Sequence, residues 1–148
     1  MDGAFMRTAE DVQEQLYRVY PQTKDRFEIL SFHEGGLRAK LSVHADDFRP
    51  GGTISGPTMF TLADCAFYAL ILAMQEEQVQ AVTTNIAMNF FHRPKHDDLI
   101  AYARILKMGT RLVVGDVLLS SGGRDVAHAS ITYALFSSPS AGRLESSK

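Results

Sequence analysis

A single cysteine, Cys65, stands in 148 residues. One thiol excludes a disulfide framework and a cysteine-built zinc site, and it fits a reducing compartment. An excess of one charge is missing too: 15 Lys and Arg against 17 Asp and Glu leave a net charge of −2. That excludes the polycationic surface that duplex nucleic acid selects, and equally an acidic disordered tail. The first residues, MDGAFMRTAEDV, carry Asp2, Glu10 and Asp11 and no apolar h-region, so no signal peptide is expected there. The longest apolar run, Thr58 to Met74, is short for a membrane span and holds Asp64 near its middle. What is present, 45% hydrophobic residues in a chain of this length, suffices for one full core and not for two. The expectation is a soluble, cytoplasmic protein with neither nucleic acid nor membrane as partner.

Thr8 and Asp11 sit three apart ahead of Val12, Leu16, Val19 and Tyr20, which predicts an amphipathic helix over about residues 8–20, stopped by Pro21. Phe27 and Ile29 mark a first strand, His33 to Gly36 a turn, and Leu37, Ala39, Leu41 and Val43 alternate with polar residues in a second strand. Residues 48–57, FRPGGTISGP, read as a loop, and Pro57 suits the first turn of a helix running to Met74. That helix is apolar on nearly all sides and belongs in the middle of a core. Thr84, Ile86, Met88 and Phe90 alternate with Thr83, Asn85, Ala87 and Asn89 in the next strand, and turns at 93–97, 109–111 and 121–124 divide the remainder into strands 99–107, 112–120 and 126–136. The tail from Ser137 is small and polar and is expected to be disordered.

The reading is therefore an N-terminal helical segment over 1–24, one α+β domain over 25–136 and a tail over 137–148. A central helix roughly 27 Å long matches nine-residue strands of about 30 Å, so a curved antiparallel sheet can wrap one long helix. That is the hotdog fold. Strands 99–107 and 112–120 look apolar on both faces, so the outer face needs a cover, supplied in part by the N-terminal helix and otherwise by another subunit.

Within the apolar helix Thr61, Asp64 and Tyr68 form one polar stripe. A lone carboxylate in apolar surroundings costs several kcal/mol unless it is paired or meets water. The bland explanation is that Asp64 ties down a loop through backbone N–H groups. The functional one draws on the preceding glycines: Gly51, Gly52 and Gly56 allow close backbone approach, and a helix start offers free N–H donors. Gly56 and Asp64, two helical turns apart, would then frame a reacting carbonyl with a donor and a base or nucleophile, which is what acyl hydrolysis requires.

The run Ser55-Gly56-Pro57-Thr58-Met59-Phe60-Thr61-Leu62-Ala63-Asp64 resembles the loop-helix signature of hotdog acyl-CoA thioesterases of the phenylacetate-degradation (PaaI) type, His-Gly-Gly followed by an apolar run ending Leu-x-Asp. The resemblance extends to Ala81–Asn85 and to Lys107–Arg111. It implies that Asp64 acts as general base or nucleophile, that the Gly56 N–H polarises the thioester carbonyl, with Thr58 as a second donor, and that Thr83 from the opposite subunit places the water. It also implies a homodimer, extended to a homotetramer, with coenzyme A entering only as part of the substrate. The motif departs from the family at Ser55, where a histidine is usual, at Pro57, where the second glycine is usual, and at Arg49, where an asparagine is usual.

Ser55, Arg49, Asn85, Thr61, Tyr68, Arg93 and Arg111 are the expected substrate contacts, with Arg93 and Arg111 suited to the phosphates of coenzyme A. Cys65 reads as a buried structural thiol. His92 and His96 are four apart, but Pro94 breaks the helix that a ligand pair at that spacing would need, so no metal site is expected there, even with Asp97 and Asp98 beside them. The alternatives are a non-catalytic acyl-CoA binder and, behind it, an enoyl-CoA hydratase. The length and identity of the acyl chain are not readable from these residues.

Overall fold

A computed structural model describes residues 5–76, 79–95 and 98–137. The chain begins with helix α1 (Ala9–Val19), capped as its sequence predicts: the Thr8 side chain accepts from Asp11 N at 3.1 Å. Strands β1 (Phe27–His33) and β2 (Gly36–Leu41) form an antiparallel hairpin. The predicted loop at 48–57 contains a miniature ribbon, β3 (Phe48–Arg49) with β4 (Thr53–Ile54), turned by Gly51 and Gly52 at φ of 104° and 82°. Those angles suit residues without a side chain. Helix α2 (Gly56–Met74) follows, then β5 (Val79–Phe90), β6 (Leu99–Met108), β7 (Leu112–Ser121) and β8 (Arg124–Ser137).

The six long strands make one antiparallel sheet in the order β1-β2-β6-β7-β8-β5. The sequence reading of four strands in hairpin succession therefore fails at one joint: β5 pairs with β8, and β6 pairs with β2. Alternation reveals a strand but not its partner, and the segment between β5 and β6 is a crossover, not a hairpin turn. The crossover leaves β5 as one edge of the sheet.

The core lies between the sheet and α2, where Leu62, Ala66, Phe67 and Leu70 meet Ala101, Val113, Val117 and Ile131, all of them buried. Gly115 is what lets Phe67 lie flat on β7. A Cβ there would meet Arg104 O at 2.1 Å and the Phe67 ring at 2.4 Å. Gly115→Ala is thus expected to destabilise the fold by about 3 kcal/mol, at the upper end of overpacking costs, and to lower the thermal midpoint by about 5 °C or more. Circular dichroism melting of the two proteins checks this, and an unchanged midpoint would show that both the ring and the β6 backbone can give way.

Two expectations about burial are corrected. The N-terminal helix does not cover the outer face of the sheet. It packs on α2 and on the edge strand β1, where Gln13 Oε1 accepts from Ile29 N at 2.7 Å and Tyr17 OH donates to Phe27 O at 3.1 Å. It thereby blunts one edge of the sheet. The outer face instead carries its own polar network. Arg104 donates from Nε and Nη2 to both oxygens of Asp116 at 2.9 Å, and His128 Nε2 lies 2.9 Å from Asp116 Oδ2. Arg104, with a smaller contribution from His128, holds the Asp116 carboxyl below the usual carboxylate range against the opposing pull of burial.

Nor is α2 enclosed on all sides: Pro57, Phe60 and Thr61 are exposed, and Asp64 and Tyr68 are half-buried. These positions follow the helical repeat, so they form one open stripe along the helix.

Candidate active site

At the start of α2 each donor can be accounted for. Ser55 is the N-cap: its Oγ accepts from Thr58 N at 3.3 Å and donates to Thr58 Oγ1, which donates in turn to Asp47 Oδ1 at 3.0 Å. Ser55 N donates to Asp47 O at 2.7 Å, and Met59 N to Ser55 O at 3.2 Å. Pro57 has no N–H. Among the described residues, then, the Gly56 N–H is the one donor of this first turn left without an acceptor. Thr58, expected as a second donor, is committed to the cap. The hydroxyl at the position of the family's histidine is committed there too.

Asp47 is the residue that sequence reading missed at this end. It is buried, it accepts from Arg26 Nη2 and from His44 N at 2.6 Å, and it thereby fixes the loop that delivers Gly56. Nothing in a run of Asp-Asp-Phe-Arg distinguishes an acid that will be enclosed from one that stays in water. Beside Gly56 opens a cavity of about 480 Å³ whose lining includes Arg49, Met59, Phe90, His92 and Arg93. Two of the expected substrate contacts, Arg49 and Arg93, therefore share a cavity with Gly56. His92, considered above only as a metal ligand, joins them.

Asp64 lies two turns further along α2 and, among the described residues, caps no backbone amide. Its Oδ1 accepts from Thr83 Oγ1 at 2.8 Å and from Tyr133 OH at 2.6 Å. No cation among the described residues lies within ion-pair distance of it. Thr83 reaches Asp64 of its own chain, although the family resemblance assigns it to the opposite subunit.

A β-bulge is responsible. Strict alternation would put Thr83 and Asn85 on the same face, but the register shifts between them: Thr83 pairs with Tyr133 and Asn85 with Thr132. The extra residue, Thr84, directs its Oγ1 to Thr132 O at 3.2 Å. Thr83 consequently faces α2 alongside Ile86 and Met88, and Asn85 goes to the outer face, away from Asp64.

Tyr68 and Thr83 line a second cavity, of about 300 Å³, with Tyr20, Val82 and Tyr133. Burial raises the phenols of Tyr20, Tyr68 and Tyr133, and it pushes the Cys65 thiol to about 12, with the Asp64 charge adding to the shift. Cys65 is thus the inert thiol the sequence suggested. Thr61 lies apart, in a cleft with Arg26 and Asp47. Arg111 is exposed in the turn before β7, where its carbonyl accepts from Leu135 N at 2.8 Å. The structure brings neither into contact with Asp64. No group of three or more His, Cys, Asp or Glu suited to a metal occurs among the described residues, and His96 and Asp97 lie outside them, as does most of the predicted tail.

Gly56 and Asp64 are farther apart than the sequence reading requires of them. Eight residues of helix are about 12 Å of rise. A carbonyl whose oxygen meets a donor at about 3 Å and whose carbon is attacked from about 3.5 Å cannot span that distance.

Residues 51–128 match the sequence profile of the Thioesterase superfamily. The chain belongs to this superfamily. A solved structure of an inferred thioesterase from Silicibacter sp. TM1040 is 38% identical, with a TM-score of 0.85 over 92% of this chain and 96% of that one. Two solved structures of lower identity share the fold. The Escherichia coli PaaI protein from the phenylacetic acid degradation operon is 21% identical, with a TM-score of 0.77 over 88% of this chain and 94% of that one. A hypothetical thioesterase of Streptococcus pneumoniae, solved with coenzyme A, is 20% identical, with a TM-score of 0.72 over 88% and 98%. No curated protein sequence is significantly similar.

Proposed function

We propose that this superfamily member is a cytoplasmic acyl-CoA thioesterase of the PaaI type, hydrolysing a thioester to a free acid and coenzyme A. The observation that carries the reading is the pairing of one unpaired backbone donor, Gly56 N–H, with a carboxylate on the same helix held by hydroxyls and by no cation.

Because one chain cannot bring the two to one carbonyl, the reading takes Gly56 from one copy and Asp64 from a second. Two features of a single chain support this: α2 has an open stripe, and among the described residues no further strand pairs with β5. Gly56 lies beside Phe90 at the end of β5, whereas Asp64 meets Thr83 near its beginning. Antiparallel pairing of two β5 strands about a two-fold axis would set the end of one against the beginning of the other. In that arrangement the Gly56 N–H stabilises the oxyanion, and Asp64 either removes a proton from the attacking water or itself adds to the carbonyl carbon. Collapse breaks the C–S bond and expels the coenzyme A thiolate, and on the second route water then hydrolyses the acyl-aspartyl anhydride to the free acid. Thr83 has committed its proton to Asp64, and its lone pairs remain able to accept from that water.

Arg49 and Arg93 beside Gly56 suit the phosphates of coenzyme A, and the complex of the Streptococcus pneumoniae neighbour with coenzyme A supports that choice of carrier. The Tyr68 cavity then takes the acyl group.

The test is a panel of aryl, short and long acyl-CoAs with detection of free thiol. Thiol released with at least one member, together with the free acid, is expected. Binding without release across the panel would favour the second reading, a non-catalytic acyl-CoA binder, for which the loss of an imidazole at Ser55 is the specific argument. Loss of enoyl-CoA absorbance without thiol release would favour a hydratase.

A further inference from the structure

We infer that Tyr133, on β8, is a positioning residue that dictates which oxygen of Asp64 reacts. The inference rests on the thioesterase reading for its kinetic consequence, but not for its geometry. The Tyr133 side chain is almost wholly buried, at 3% exposure, and its hydroxyl donates to Asp64 Oδ1 at 2.6 Å. The backbone carbonyl of Asp64 is also within reach, at 3.2 Å. A phenol has one proton, however, and the shorter contact with the charged acceptor takes it. Thr83 donates to the same Oδ1. Among the described residues no donor reaches Oδ2.

Two donors on one oxygen hold the carboxylate in a single rotation and draw its charge toward Oδ1, leaving Oδ2 as the oxygen with lone pairs to offer. The consequence is the same whether Oδ2 accepts a proton from water or adds to the carbonyl carbon.

The phenol is itself held firmly. Its ring stacks on Tyr68 with centroids 6.2 Å apart and leans on Phe67 at 5.6 Å. A phenylalanine would fill the same space, so packing gives no reason for a hydroxyl at this depth, where an unpaired one is costly. Burial and the Asp64 charge both keep the phenol protonated throughout the range in which proteins are stable, so it donates at every working pH. The other titratable groups around Asp64 are Tyr20, Cys65 and Tyr68, and all of them are raised. None of these changes charge in the acid range, but the Gly56 cavity of a second copy would bring His92 to the same site, so the displacement of the acid limb between variants, not its position, reports Asp64.

The experiment is Tyr133→Phe in the full chain, assayed on whichever acyl-CoA gives the highest turnover. The expected result is a kcat lower by about 10- to 100-fold, a KM within about twofold of the original, and an acid limb of kcat/KM displaced upward by about one pH unit. A purely structural role would lower the melting temperature and the amount of active enzyme without moving that limb, and a limb that stays in place overturns the proposal.

Should Tyr133→Phe fail to fold, 3-fluorotyrosine at position 133, a more acidic donor of nearly the same shape, is expected to move the limb the other way. No movement would again overturn the proposal. Should the unmodified protein release no thiol, the thioesterase reading fails separately. Tyr133 is then judged by carbon-13 NMR of the Asp64 carboxyl: a titration midpoint raised in Tyr133→Phe supports the assignment, and an unchanged one refutes it.

Discussion

Asp64→Asn should leave a folded protein whose thioester hydrolysis falls by about 10³-fold, within the range for removing a general base. The amide is nearly isosteric, and its Oδ1 can still accept from Thr83 and Tyr133, so both hydrogen bonds of the native side chain survive. What disappears is an oxygen able to take a proton or to attack carbon, since the second position becomes an NH₂ donor. Stability should change by no more than about 1 kcal/mol, because no ion pair is broken and the carboxylate is only half-buried. Turnover measured beside a melting curve separates chemistry from fold. Retained turnover would remove Asp64 from the mechanism and with it the main support for the enzymatic reading.

The second large effect is expected from deleting a backbone hydrogen. Gly56→Pro removes the one unpaired N–H of the first turn at the first position of α2, preceded by Ser55 in extended backbone at φ −75°, ψ 154°, and carries the same strain before Pro57 as any other side chain there. A loss of about 10²- to 10³-fold in kcat is expected, the usual cost of one oxyanion donor. Gly56→Ala is the control. It keeps the N–H, and its Cβ would meet only the Phe90 ring, at an ordinary 3.5 Å. Its cost should be confined to about 1 kcal/mol of stability from the strain of a side chain in helical backbone just before Pro57. Equal rates for the two variants would show that Gly56 serves packing and not charge.

Most of the architecture was legible because it rests on periodicity. Leu37, Ala39 and Leu41 announce a half-buried strand, and Thr8 with Asp11 announces a helix start. The position of β5 was not legible, because local alternation carries no information about which distant strand supplies the hydrogen bonds. The candidate site was legible where polarity is concentrated in one odd residue, as with an acid among alanines and leucines. It was illegible where the backbone departs from its repeat: the bulge at Thr84 puts Thr83 and Asn85 on opposite faces, and Thr84 has no feature that marks an extra residue. Tyr133 was within reach. It continues the inward register of Ala129 and Ile131, and a phenol on an inward-facing row invites the question of what its hydroxyl meets. Asp47 and the commitment of the Ser55 hydroxyl depend on how a loop closes, which no pattern in FRPGGTISGP encodes.

The chain contains no tryptophan and only five tyrosines, and three of them, Tyr20, Tyr68 and Tyr133, surround the cavity next to Asp64. Three of its five tyrosine emitters therefore line the chamber assigned to the acyl group, with no indole to mask them. A guest entering that chamber would report its own arrival as a change in light output, without any label.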